Sequence, residues 1–453
     1  MATLINPALA LGRFAERASG LADERMSASL RRRLDEAAPF AVVELGEGVR
    51  GIKPSPESRE LFRKRRLPVI AQGLATGLAR ATAAAAREPY TLHHGDADLT
   101  LLLEQTCFGR RIREDADGLV IDLTHHENLP MLPGFFTHGI KAHLTRSNGR
   151  LDVARIDIAG HTLTKGHPNW SLAKIHLIVG MDNETLFADH SVVHLHNNYL
   201  EAAAQRTLPA HNPLALFLQP HFGVTIPLNE WIFERFHKHA SVGSPFGHPV
   251  ASILKLVRKG LQADHAAGLS PRAVETPYAR AQGHARAVMH DHVASFVREN
   301  LPEASPAFEQ VRAFIDAARE LIPYLPEGRA LTRENLTEVI TRFLYEATFV
   351  SAGDHVVNRE VVGFYRSVFR LRQPFNPDAR WQPQDLFSPL DTFQRVVFRD
   401  VFSGDVCFSR LADVSYDPRL RVDLEGLRRG LAGLEQRYPR LFPRDRIAAS
   451  IDI

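Results

Sequence analysis

Leu186-Phe187-Ala188-Asp189-His190-Ser191-Val192-Val193-His194-Leu195-His196-Asn197-Asn198-Tyr199-Leu200 is the stretch whose reading decides the fold. A helix advances about 100° per residue, so His190 and His194 share one face with Cβ atoms about 5–6 Å apart, close enough to hold one ion. His196 lies roughly 240° round the axis from His190 and reads as an outer-shell or surface residue. Downstream, His355-x-x-Asn358 can sit together on another helix, and the sequence closes on Ser450-Ile451-Asp452-Ile453, whose last residue offers a carboxylate. Four neutral N or O donors and one carboxylate suit a divalent iron-type ion better than a closed structural zinc, which takes four tetrahedral ligands, often cysteines. In a chain with 22 histidines an H-x-x-x-H pair can also arise by coincidence, so its surroundings carry the weight.

Working outward, the chain reads as mainly α-helical. Helices are expected over 14–38 and 55–90, and again from Trp170 onward: 172–180, 185–206, 213–217, 249–260, 279–299, 305–321, 333–350 and 355–369. Gly118 to Asp122 alternates as a strand, and Lys141 to Ile158 reads as a β-hairpin with its tip at Asn148-Gly149. Asn128 to Gly134, with two prolines, is a loop. Residues 1–60 form a helical lead-in and 61–453 one catalytic-type domain. With 453 residues, 44% hydrophobic and 24% charged, a large core can be buried. A formal charge of +3 is too small an excess to indicate nucleic acid. No run approaches eighteen apolar residues, no secretory signal is evident, and Cys107 and Cys407 cannot build a disulfide framework, so a cytoplasmic protein is expected. No phosphate loop, Cys-x-x-Cys pair or Gly-x-Ser-x-Gly elbow appears. His125-His126-Glu127, His237-x-His239 and His290-x-His292 read as solvated surface, and His221 as a buried structural histidine.

Several blocks, in order, resemble the lipoxygenase family. Trp170-Ser171-Leu172-Ala173-Lys174 is similar to its WLLAK segment. Arg206-Thr207-Leu208-Pro209 and Pro213 to Phe222 are similar to its R-x-L-P…P-H run, Leu129 to Pro133 to DLPFLP, and Pro277 to Arg280 to YPYA. Leu336 to Asn358 resembles the helix ending in H-x-x-x-N, and the closing Ser450 to Ile453 resembles S-I-S-I. The resemblance spans roughly residues 90–453 and implies a lipoxygenase-like helical catalytic domain with a small β-hairpin region, lacking the N-terminal β-barrel. It also implies that Arg206 is buried and paired.

The same resemblance implies a non-haem iron dioxygenase, with manganese as the alternative metal, that removes hydrogen from a methylene between two double bonds of a polyunsaturated lipid and adds O2. Metal ligands are then His190, His194, His355, Asn358 and Ile453, with no catalytic residue beyond them. Leu186, Phe187, Val193, Val350 and Val362 can line an acyl channel, although each also suits plain core packing. Partners are a lipid-like substrate and O2, with transient membrane-surface contact and no transmembrane segment. The spacing departs from the family, whose first two histidines are five apart across a π-type bulge. Counting from Trp170 puts Thr185 and His190 there, so His194 is expected to replace the missing ligand on a regular turn, the bulge having been deleted. On the second helix Asp354, not His355, stands four before Asn358. It can orient His355 or replace it. Two other readings are an atypical metalloenzyme acting on a natural-product substrate and a metal-free lipid-binding relative.

Overall fold

A computed structural model describes residues 95–222, 225, 247–269, 274–354, 370–379, 385–388, 391 and 410–450. The expected lead-in helices, Cys407, His237, His239, His355, Asn358, Val362 and Ile453 lie outside the described residues.

After helix α1 (Asp96–Gln105), five short strands form one antiparallel meander in sequence order: β1 (Ile112–Asp115), β2 (Gly118–Asp122), β3 (Ile140–Ser147), β4 (Arg150–Ile158) and β5 (His161–Thr164). The expected hairpin is its centre, β3–β4. Asn148 (φ 52°) and Gly149 (φ 77°) are both left-handed there, as a two-residue loop matching strand twist requires. Alternate residues of β4, Leu151 and Val153, then Ile156 and Ile158 after a bulge opposite His143 and Leu144, point into a core shared with α1 and the next helix.

That next helix is the axis of the molecule. α2 (Trp170–Glu184) runs into a π-helical segment (Thr185–His190) and then α3 (Ser191–Thr207) without a break. All of α2 except Ser171 is buried, as expected of a helix surrounded by protein. Its buried Lys174 ammonium donates to Asp96 Oδ1 at 2.7 Å, and the Trp170 indole donates to the same oxygen at 2.8 Å. The bulge expected to be deleted is therefore present. Two local features accommodate it. The Ser191 hydroxyl donates back to the Leu186 carbonyl at 3.3 Å. Gly260 faces the turn so closely that a Cβ there would come 2.2 Å from the Ala188 carbonyl oxygen.

Around this axis pack α4 (Pro213–Phe222), α5 (Val250–Ala267), α6 (Pro277–Asn300), α7 (Pro306–Arg319), α8 (Arg333–Tyr345) and α9 (Leu424–Arg437). Their starts are written locally. Thr276 accepts from the Ala279 amide ahead of Pro277, Ser305 accepts from Phe308 ahead of Pro306, and Thr332 with Asn335 forms a capping box. α8 continues into a second π-helical segment (Glu346–Val350) and on to Asp354. Gly353 lies against Tyr278, whose hydroxyl would be 2.7 Å from a Cβ there. No helix among the described residues is long and apolar enough to cross a membrane.

Candidate metal centre

His190 closes the first π-helical segment and His194 lies in the first turn of α3. Their Nε2 atoms are 3.0 Å apart, and the rings meet at 64°. Two nitrogens held at right angles about 2.1 Å from one ion are separated by about 3.0 Å, so the pair has the spacing of neighbouring ligands. Behind His190, Asp354 Oδ2 lies 3.3 Å from Nδ1. Asp354 is 2% exposed, and its other oxygen is paired with Arg110, which also approaches Asp189 at 3.9 Å. Thr185, at the family's first ligand position, is buried at the start of the π-helical segment. Burial above all, with Asp354 nearby, pushes the Cys107 thiol well above its usual range.

A cavity of about 540 Å³ opens beside this helix, between the first π-helical segment, α5, α6 and α8. Val193 and Val350 line it. Leu186 and Phe187 do not. Phe187 is 1% exposed in the helical core, and Leu186 packs against that core. Arg110, Arg111, Lys259, Asp264, Arg342 and Glu346 also form the wall, so charge borders much of the space.

On the other side of Glu184 stands a group that sequence reasoning placed in solvent. His126 is 1% exposed, and both neighbouring imidazoles turn to one oxygen, with His125 Nε2 at 2.5 Å and His126 Nε2 at 3.0 Å from Glu184 Oε1. Among the described residues these three are the one group of His, Cys, Asp and Glu donors close enough together to hold a metal ion. Their surroundings oppose it. The Lys259 ammonium donates to His125 Nδ1 at 2.5 Å, which puts the His125 proton on Nε2, and Arg111 donates to Glu184 Oε2 at 2.7 Å. Burial works to raise the Glu184 carboxyl, but Arg111 and the hydrogen bonds from both histidines outweigh it and hold the group well below the usual range. Burial lowers His126 despite that carboxylate. The network is complete without an ion.

Other expectations need correction. Of the two readings of His196, outer-shell or surface, burial removes the second: it is 0% exposed, lying 3.6 Å from Asp264 and 3.9 Å from Glu346 on the back of α3. His292 is buried and bonded to the Tyr416 hydroxyl at 2.9 Å, whereas His290 is half-buried, 3.2 Å from Glu338. Arg206 is exposed, not buried. His221 is the buried structural residue anticipated: its Nδ1 donates to the Ala449 carbonyl at 2.6 Å, next to the buried Ser450. Only a long-range signal, the acid at 184 facing the pair at 125–126, could have identified the second histidine pair.

No family model matches the sequence and no curated protein is similar to it. Among solved structures, the fold is similar to a 9R-lipoxygenase from Cyanothece PCC8801, at 14% identity and TM-score 0.65, covering 90% of this chain and 74% of that one. It is also similar to the manganese lipoxygenase of Gaeumannomyces graminis, at 12% identity and TM-score 0.62, covering 98% and 92%. A third similar structure is a lipoxygenase deletion variant in complex with arachidonate, at 13% identity and TM-score 0.62, covering 94% and 75%. The chain has a lipoxygenase-like fold, mostly helical with one small antiparallel sheet.

Proposed function

We propose that the chain is a non-haem metal dioxygenase that adds O2 to a polyunsaturated fatty acid or related lipid, with His190, His194, His355, Asn358 and the Ile453 carboxylate holding iron or manganese. The observation that carries this reading is the approach of the His190 and His194 Nε2 atoms to 3.0 Å on the π-interrupted central helix. Neutral imidazoles with one carboxylate suit either metal, and a manganese protein is among those of similar fold. The chemistry such an ion supplies is one-electron oxidation of an activated C–H bond. The chain supplies the rest: Val193 and Val350 present apolar surface to a substrate in the cavity. Leu186 and Phe187 belong to the helical core rather than to the cavity wall. Arachidonate bound to a protein of similar fold supports the lipid class.

The charged wall favours a second reading, a metalloenzyme of this fold that oxygenates a more polar natural product. Metal analysis and oxygen uptake with linoleate, set against a panel of phenols and polyketides, separate the two. Linoleate uptake supports the first, and uptake with the polar panel alone replaces it by the second. Less than about a tenth of an equivalent of iron or manganese after growth in supplemented medium leaves a metal-free lipid binder.

A further inference from the structure

We infer that Asp354 is a positioning residue: it fixes the tautomer and direction of His190, and Arg110 holds it in place. This rests on His190 and His194 being metal ligands. An imidazole has two nitrogens, and a carboxylate facing one of them retains the proton there, leaving a lone pair on the other. Asp354 Oδ2 faces His190 Nδ1, so the proton sits on Nδ1 and the Nε2 lone pair faces His194. A ligating histidine is commonly oriented in this way.

The carboxylate cannot turn away easily. It is 2% exposed, its second oxygen is paired with Arg110, and Gly353 brings the helix end carrying it against Tyr278. From Arg110 the charges alternate through Asp189 and Arg111 to Glu184, whose oxygen accepts from Arg111 at 2.7 Å. With one oxygen on His190 and the other on Arg110, Asp354 acts through His190 and takes no ligand place itself.

The test is titration of the metal-stripped full-length chain with Co2+, followed by visible absorption. Asp354→Ala is expected to weaken binding by about 10–100-fold and shift the absorption bands, with Asp354→Asn, which keeps an acceptor oxygen but not the charge, falling in between. Long-range 1H–15N spectra of the metal-free chain are expected to show His190 protonated at Nδ1, and the proton moved or shared in Asp354→Ala. A merely structural Asp354 would move neither the bands nor the tautomer. If Asp354→Ala does not fold by near-UV circular dichroism, Asp354→Asn decides alone. Affinity within twofold of the parent with unchanged bands overturns the proposal, provided His194→Ala abolishes Co2+ binding. If His194→Ala also binds like the parent, the ligand assignment itself has failed.

Discussion

His190 with His194 and His125 with His126 flank the same short stretch of the central helix, yet they are built for opposite purposes. In the first pair the two Nε2 atoms face each other, and a carboxylate stands behind one ring at Nδ1. In the second, both Nε2 atoms face a carboxylate, and an ammonium stands behind one ring at Nδ1. What stands behind an imidazole decides what its front can do. An acid behind it makes the front an electron-pair donor, and an ammonium behind it makes the front a proton donor. Residue type alone would rank the second trio, His2Glu with two of its three members buried, as the better metal site. The charges around it reverse that ranking.

The largest effect expected is a contrast between the pairs. His194→Ala is expected to drop bound iron or manganese below about a tenth of an equivalent and to abolish oxygen uptake. His126→Ala is expected to keep the metal and lose about 1–3 kcal/mol of stability, because a buried partner of Glu184 disappears. Metal analysis and urea unfolding of both variants read this out, and equal metal loss in the two would erase the distinction. Next comes Glu184→Ala. It leaves Arg111 and two imidazoles facing an emptied site, so urea unfolding should show a loss of about 3–5 kcal/mol. A loss under about 1 kcal/mol would mean that the second pair is not held by its acid.

How much of this was legible in the sequence follows from the range of the interactions. The β3–β4 tip was legible because Asn148-Gly149 carries its turn in two residues. The starts of α6 and α7 were close to their signals because Thr276-Pro277 and Ser305-Pro306 are local. Helical period alone brought His190 and His194 to one face. The rest depends on distant partners. β1 is Ile-Arg-Glu-Asp, too short and charged to read as a strand until β2 pairs with it. The π-helical segment adds a residue to a turn without a composition of its own, and depends on Gly260, which is some seventy positions downstream. His126 looks solvated until Glu184 is folded against it. Three proposed ligands, His355, Asn358 and Ile453, lie outside the described residues, so the reading of the centre stands on its first pair.

Acid sharpens the comparison from another side. Burial lowers His126, and it takes His221 to about 4 and His248 to about 3. The unfolded chain protonates these groups near their ordinary value of about 6.5. Below that value it binds more protons than the folded chain, so stability falls as pH falls, and continues to fall until each folded value is reached. Each such histidine contributes a slope of about 1.4 kcal/mol per pH unit in its window. The Glu184 carboxyl, also held low, adds its loss only below about pH 4.5, where the unfolded carboxyl protonates. Unfolding free energies measured from pH 7 to pH 4 should therefore begin to drop near pH 6.5. A flat profile down to pH 5 would mean that these rings are not buried in the neutral form. His126→Ala should reduce the slope by its own share and leave the rest.

The smallest expected effect tests the cause of the difference directly. Lys259 is half-buried at the cavity wall, and among the described residues its one hydrogen bond goes to His125 Nδ1. Replacing it with methionine keeps the length of the stem and removes the ammonium. Stability should change by less than about 1 kcal/mol, since the bond lost is a single one to a neutral ring at a partly open position. His125 can then carry its proton on Nδ1 and turn a lone pair toward Glu184. In a His194→Ala background, where the first pair is broken and Co2+ binding is lost, Lys259→Met should make weak Co2+ binding detectable. Arg111 remains on Glu184, so the second trio should stay a weak site. No detectable binding would mean that Arg111, not the ammonium behind His125, closes this pair to metal, and Arg111→Met in the same background would then carry the gain.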